Sequence, residues 1–390
     1  MTRLVSPYWG RRFGYFGAIL GVALSALGAP SKVEWQRLPE GGMQPVAVTD
    51  VGGTVHLVWL QGDPKASDVY YQALPKGRTS ETAPIRVNSQ PHSAIAIGTV
   101  RGARVAAGRD GGVYVIWNGS SESDPESKTG VPVLYARLGR DRKSFETQRN
   151  LSGQTANLDG GAAVAADGEG RVFAVWHAQP LDAREGEAQR RVFLAESNDD
   201  GATFGRERVI SLTNGVCGCC GLAAFSSARG DLFVLYRAAF SMTNRPMVLL
   251  SSTNHGNTFQ PVLDDSWAVG GCPMSTAGAV TASRHTAGAW ETRKQIEIGL
   301  LDRDMAERVR RIRISEGSNN KHPALAESPE GEILCAWAEG TGWAHGGGLA
   351  WRLIDSNGRV KSDIQRQDGL PAWSFPAAYF REGSGFVVVY

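Results

Sequence analysis

Charge of one sign is what this chain most plainly lacks: 41 Lys and Arg stand against 39 Asp and Glu, a balance that argues against nucleic acid as a partner. Without Arg3, Arg11 and Arg12, which fall in the first 29 residues, the balance is 38 basic to 39 acidic. Long amphipathic helical patterns are also missing, which excludes helical bundles and alternating α/β folds. Cysteine is scarce, with five in 390 residues, so a dense disulfide scaffold is excluded. Long apolar runs are missing after the N-terminal one, so no later segment reads as a membrane span.

What is present is glycine, at 48 residues, and tryptophan, at 11, among short apolar runs. That composition points to an all-β protein rich in tight turns. From residue 46 one unit recurs: a small apolar strand, a Gly-containing turn, then a strand ending in Trp or Tyr. The endings are Trp59, Trp117, Trp176, Tyr236, Trp290, Trp337 and Tyr390, at intervals of 58, 59, 60, 54, 47 and 53. This period fits four-stranded propeller blades and leaves a β-sandwich without an explanation for seven even endings. The expected fold is a single all-β propeller, seven-bladed, with six blades plus extra terminal strands as the alternative. Its innermost strands are expected near Val46, Val105, Ala163, Leu222, Ala277, Ala324 and Ala377. The last unit reaches the C-terminus without outer strands, and Val33-Glu34-Trp35-Gln36-Arg37-Leu38 reads as the strand that completes it.

At the N-terminus, Arg11-Arg12 precede an apolar run from Phe13 to Leu27, followed by the small residues Gly28 and Ala29. Residues 1–29 therefore read as a secretory signal, leaving one domain at 30–390 and an exported protein, periplasmic or extracellular, with no membrane span after signal removal. An uncleaved anchor is the rival, disfavoured because the run is short and contains several Gly and Ala.

The octet Ser197-Asn198-Asp199-Asp200-Gly201-Ala202-Thr203-Phe204 sits where a hairpin must turn. Asp199 accepts from turn amides, Gly201 takes positive φ, the Thr203 hydroxyl closes the loop and Phe204 returns to the core. It recurs 55 positions on, with Ser252, Asn254, Gly256, Thr258 and Phe259 in the same places, and a worn copy ends at Ser144-Phe145. This pattern resembles the Asp-box, the bacterial neuraminidase repeat of sialidase-like β-propellers. The resemblance implies the propeller fold; the octets themselves read as structural turns, since one fold carries many activities.

In an antiparallel blade the octet turns and the first-to-second strand turns share one face. The opposite, funnel face collects Asn118, His177, Arg237, Glu291, Arg293 and Glu339, with His92, His322 and Trp343 nearby. These are the candidate ligand-face residues, for a glycan, peptide or protein ligand. The resemblance implies, for a sialidase-type exo-glycosidase, three arginines on the sugar carboxylate, a tyrosine–glutamate pair and an aspartate acid/base. Glu291, Arg237 and Arg293 are the candidate catalytic residues by chemistry; no residue carries over by motif, and Pro84-Ile85-Arg86 is a reversed match to the family's Arg-Ile-Pro. The funnel face also gathers Cys217, Cys219, Cys220 and Cys272. Export makes disulfides the first expectation, with Cys219 or Cys220 to Cys272 the least strained pairing, while the same soft ligands suit copper or zinc. Cys335 reads as a buried core thiol.

Overall fold

The structure is a computed structural model that describes residues 31–77, 82–98, 100–184, 186–211, 215–282, 284–301 and 308–390. The expected secretory signal at 1–29 lies outside the described residues. Alternating apolar positions, Gly-rich turns and β-branched runs produce strands throughout, and no described residue belongs to an α-helix. Seven sheets result, six of them antiparallel with at least four strands and one of three strands that includes a parallel pair. Blades 1 to 6 span residues 42–86, 104–150, 163–209, 223–265, 278–313 and 320–370, and each has four successive antiparallel strands. Blade 3 gains a further two-residue strand, Thr155–Ala156, on the far end of Val172–Pro180.

Blade 7 is built differently. Ala377–Arg381 and Gly385–Val389 form an antiparallel pair, and Val33–Gln36 lies parallel on its open side, Val33 opposite Phe386 and Gln36 opposite Val389. The expected N-terminal strand therefore does cover the C-terminal one. Leu38 N donates to Tyr390 O at 2.9 Å and Tyr390 N to Gln36 O at 3.1 Å, which carries the pairing to the last residue.

All seven innermost strands begin within a few residues of the expected positions and line one narrow axial channel of about 100 Å³. Small side chains such as Ala163, Ala223 and Ala277 let the strands approach the axis. The Arg104 guanidinium is buried there 5.4 Å from the Phe375 ring centroid, and burial pulls it down to about 10. The aromatic endings do the opposite job at larger radius. Trp59, Trp117, Trp176, Trp290 and Trp337 are fully buried, filling the space between adjacent sheets. Their indole N–H groups find acceptors where the structure supplies them: Trp176 on Thr155 Oγ1 at 3.2 Å, Trp290 on Asp265 Oδ2 at 3.0 Å, Trp337 on Asn320 Oδ1 at 3.0 Å.

The octet turns lie on the face away from the funnel, beside the first-to-second strand turn of their own blade: Asp200 N donates to Gly170 O at 3.0 Å. Ser197 Oγ accepts from Gly201 N at 2.9 Å, and Asp199 accepts from Thr203 N at 2.8 Å and from Thr203 Oγ1 at 2.6 Å. Those bonds hold the Asp199 carboxyl down at about 2 although it is exposed. In the second octet Asn254 Oδ1 takes the Thr258 amide at 2.9 Å and Ser252 Oγ the Gly256 amide at 2.9 Å. Gly201 has φ +72°, and a Cβ there would stand 2.0 Å from Tyr135 Oη, so only glycine fits.

Two consequences are testable. Replacing Trp337, fully buried, with Ala should cost about 3–5 kcal/mol in urea unfolding, whereas Trp35→Ala, at an exposed position, should cost less than about 1 kcal/mol. A chain beginning at residue 39 lacks the strand over Gly385–Val389, and gel filtration should show it associating through that bare edge. Monomeric behaviour with unchanged stability would contradict the role given to Val33–Gln36.

Candidate functional site

The funnel face is formed where second strands end, third strands begin and the chain enters each innermost strand. The residues expected there are there, but most are turned toward the neighbouring blade. Asn118, at the end of a second strand in blade 2, donates from Nδ2 to Gly160 O at 2.9 Å and accepts from Ala162 N at 3.2 Å, both in the lead-in to blade 3. His177, its counterpart in blade 3, meets Cys220 O in the lead-in to blade 4 at 2.9 Å from Nε2. Arg237, the counterpart in blade 4, donates to Arg245 O at 3.0 Å and to Glu291 O of blade 5 at 2.5 Å, with its guanidinium 5.0 Å from the Trp267 ring centroid. His322 of blade 6 receives Thr276 N of blade 5 at Nδ1, 3.3 Å, and stacks on Phe375. Gln44 N of blade 1 donates to Ser374 Oγ, at the entrance to blade 7, at 3.1 Å. Asn118, His177, Arg237 and His322 are thus buried inter-blade ties.

The remaining candidates separate. Glu291 is buried next to Arg237; burial pushes its carboxyl up to about 7 against the pull of Arg237 and Lys321. Arg293 points outward, half exposed, and pairs with Asp265 at 3.3 Å. Glu339 is held by Arg366 at 2.8 Å and accepts from Trp337 Nε1 at 3.3 Å. His92 is exposed, with its amide on Asp68. Trp343 is 64% exposed and meets Trp373 edge-on, ring centroids 5.0 Å apart. Glu291 and Arg237 adjoin; Arg293 joins neither.

Over blades 3 to 5 the same face opens into a cleft of about 640 Å³. Its charged lining consists of Asp159, Glu187, Arg190 and Arg245, none of them singled out by the sequence. Arg190 and Arg245 each sit just ahead of a third strand, an equivalence visible only once the strands are aligned. Arg245 Nη1 pairs with Glu187 Oε2 at 2.6 Å, and Glu187 also accepts Gly218 N at 2.9 Å; although burial works against ionisation, these bonds hold the carboxyl below its ordinary value. Arg190 is held less tightly: Nη2 lies 3.9 Å from Asp159 Oδ2, and Nη1 is buried without a hydrogen-bond partner among the described residues. Asp159 is shared with Arg101.

The cleft floor contains sulfur. Cys219 and Cys272 form a disulfide, with Cα atoms 6.6 Å apart, joining the lead-ins of blades 4 and 5 as one of the two expected staples. Cys217 and Cys220 are buried thiols just beneath, Cys217 Sγ 3.3 Å from Cys219 Sγ and 3.6 Å from Cys220 Sγ. The Cys217 S–H donates to Cys220 and Arg237 lies beside it, so Cys220 is the more acidic of the pair although burial opposes its ionisation, and Cys217 is pushed up. Cys335 is a buried core thiol of blade 6, and burial pushes it up as well.

No known family profile matches this chain, and no curated protein matches it. Among solved structures it is similar to a protein of unknown function from Dyadobacter fermentans DSM 18053, with TM-score 0.52 and 14% identity over 87% of this chain and 97% of that one. It is also similar to the Trypanosoma rangeli sialidase in complex with the inhibitor DANA, with TM-score 0.51 and 12% identity over 80% of this chain and 55% of that one. A third likeness is to the Penicillium chrysogenum α-L-arabinanase complexed with arabinobiose, with TM-score 0.51 and 11% identity over 82% and 95%. At these identities the likeness establishes a shared fold.

Titration of the buried groups gives opposed slopes. Burial first, then the charges of Arg190 on His177 and of Lys321 on His322, lower these imidazoles from 6.5 to about 4 and about 3. The stability they contribute is complete above pH 6.5 and is lost as pH falls toward those values. Glu291, raised from 4.5 to about 7, contributes fully below pH 4.5 and loses that contribution as pH rises to 7. Glu291→Gln should therefore gain stability relative to the parent at pH 8 more than at pH 4.5, read by denaturant unfolding; an equal effect at both would show that Glu291 is not buried as its acid. Titrating the unfolded, unreduced protein with a thiol reagent should find three free thiols, those of Cys217, Cys220 and Cys335.

Proposed function

We propose that this is an exported, sialidase-like propeller that binds an acidic glycan in the cleft over blades 3 to 5. The observation that carries the reading is Arg190: a largely buried guanidinium at the cleft wall, 3.9 Å from its nearest carboxylate and with one nitrogen lacking an acceptor. A carboxylate-bearing sugar in the cleft supplies a counter-charge that Asp159, with its oxygen 3.9 Å away, provides only at ion-pair distance. Asp159, Glu187, Asn157 and Gln179 offer further polar atoms for hydroxyl groups along the same wall. Solved structures of similar fold include a sialidase and an arabinanase bound to small carbohydrate ligands or inhibitors, which favours a saccharide over a peptide as an analogy of fold. The octet turns around Asp199 and Asn254 support the sialidase-like reading in the same way.

Binding is favoured over hydrolysis by the state of the candidate catalytic groups. Arg237 is committed to two backbone carbonyls, Arg293 faces Asp265 at the outer edge, and Glu291 is buried between blades 4 and 5. A carboxyl near 7 has the chemistry of a general acid, yet three arginines converging on one carboxylate are not assembled around it.

Titration calorimetry against uronate- and sialate-containing oligosaccharides, with neutral ones as controls, tests the reading. Arg190→Gln should weaken acidic-sugar binding by about tenfold or more, the value of a charge-assisted hydrogen bond of roughly 1.5–3 kcal/mol, while leaving the unfolding midpoint nearly unchanged. Equal affinity of parent and variant, or preference for neutral sugars, would remove Arg190 from recognition. Export predicts a mature N-terminus close to residue 30, read by N-terminal sequencing of the protein from the periplasm or medium.

A further inference from the structure

Four of the five cysteines come from two short segments, Cys217-Gly218-Cys219-Cys220 and Cys272-Pro273, which lie 52 residues apart in the chain and meet at the seam of blades 4 and 5. The sulfurs of Cys217, Cys219 and Cys220 all lie within 4.8 Å of one another, and Cys272 is bonded to Cys219, so four sulfurs occupy one cluster. A staple alone requires two. Nothing in blade packing calls for two further thiols turned toward the same point.

We propose that, once the Cys219–Cys272 bridge is reduced, the four sulfurs hold one thiophilic d10 cation, Cu(I) or Zn(II). The spacing supports this: metal–sulfur bonds of about 2.3 Å in a tetrahedron place the sulfurs about 3.8 Å apart. The Cys217–Cys219 and Cys217–Cys220 separations, 3.3 and 3.6 Å, are already close to that edge. Cys272 must withdraw from Cys219, and Gly270 and Gly271 before it have open space around them. The charge is provided for as well. Four thiolates around Zn(II) carry a net charge of −2, and two buried guanidiniums flank them, Arg237 against Cys220 and Arg245 against Cys217. Access is through the cleft, on whose floor Cys219 and Cys272 lie.

The chemistry balances with one outside reductant. A dithiol gives two electrons and two protons to the bridge, the Cys219–Cys272 bond breaks into two thiols, and the dithiol closes to its own disulfide. Cation binding then displaces the thiol protons into solvent. The inference rests on the four sulfurs, none of which the sugar-binding reading uses, although both share the cleft.

The full chain is reduced with a phosphine, freed of it without air, and offered Cu(I) or Zn(II) alone. About one cation per chain should survive gel filtration and protect four thiols from a thiol reagent, and Co(II) should give the absorption bands of a tetrahedral thiolate site. The unreduced protein should bind far more weakly. Because losing even an outer partner of a metal ligand costs about 10–100-fold in affinity, Cys217→Ser and Cys220→Ser should each cost at least about tenfold. Cys335→Ala should change nothing. If a variant fails to fold, X-ray absorption on the parent decides, since a sulfur-only shell is expected and a shell of oxygen and nitrogen overturns the assignment. A reduced, folded protein that retains no cation, or unaltered binding in both variants, also overturns it.

Discussion

Seven sheets around an axis share a continuous core only if the last is fastened to the first. Here that fastening is the parallel strand Val33–Gln36 on Gly385–Val389, reinforced by Gln44 of blade 1 bonded to Ser374 and Trp373 at the entrance to blade 7. Without it Val387, Val388 and Val389 would present an open, β-branched edge, the most association-prone surface a sheet can have. The chain solves this with residues from its opposite end, and Val55 and Leu74 of blade 1 pack with Tyr379, Val387 and Val389 of blade 7 to complete the closure. Everything nearer the axis, from the small residues of the inner strands to the channel they enclose, depends on that seam holding.

The same need recurs between adjacent blades, and it explains why polar residues gather at the funnel mouth. A strand end at the mouth leaves carbonyls and amides of the next blade's lead-in without sheet partners, and burying them unpaired is costly. Asn118 answers Gly160 and Ala162, His177 answers Cys220, and Arg237 answers Glu291. Their shared position in the repeat is therefore accounted for by the packing of the ring. Arg190 and Arg245, just ahead of third strands, line the cleft instead, beside the lead-in to blade 4.

Strand number, the order of the blades, the innermost strands and the covering strand at the N-terminus were legible because each leaves a periodic or terminal mark: an aromatic ending such as Trp117, a Gly turn such as Gly52-Gly53, an unpaired last strand. The face on which Asn118, His177 and Arg237 lie was legible too, since strand direction fixes it. Their radial depth was not. A residue at a strand end reads the same whether it points at solvent or at the next blade, and only the three-dimensional approach of Gly160 to His177, where a Cβ would stand 2.4 Å from Nε2, decides the matter. Arg190 and Arg245 left no mark at all, because they become equivalent only after blades of unequal loop length are superposed.

The sulfur cluster is the one place where both demands meet. The seam between blades 4 and 5 is already tied by Arg237 to Glu291 O and by Gly221 N to Ser275 O at 3.0 Å, so the Cys219–Cys272 bridge adds a third tie where two exist. Its stabilisation acts through the unfolded chain, where it closes a loop across a sequence separation of 53 residues. The bridge is exposed at Cys272 and backed by the buried thiols of Cys217 and Cys220, and reducing it leaves the seam held by those hydrogen bonds. The arrangement makes structural sense only if the oxidised and reduced states are both compatible with a closed ring, and the redundancy of ties at this seam is what allows that.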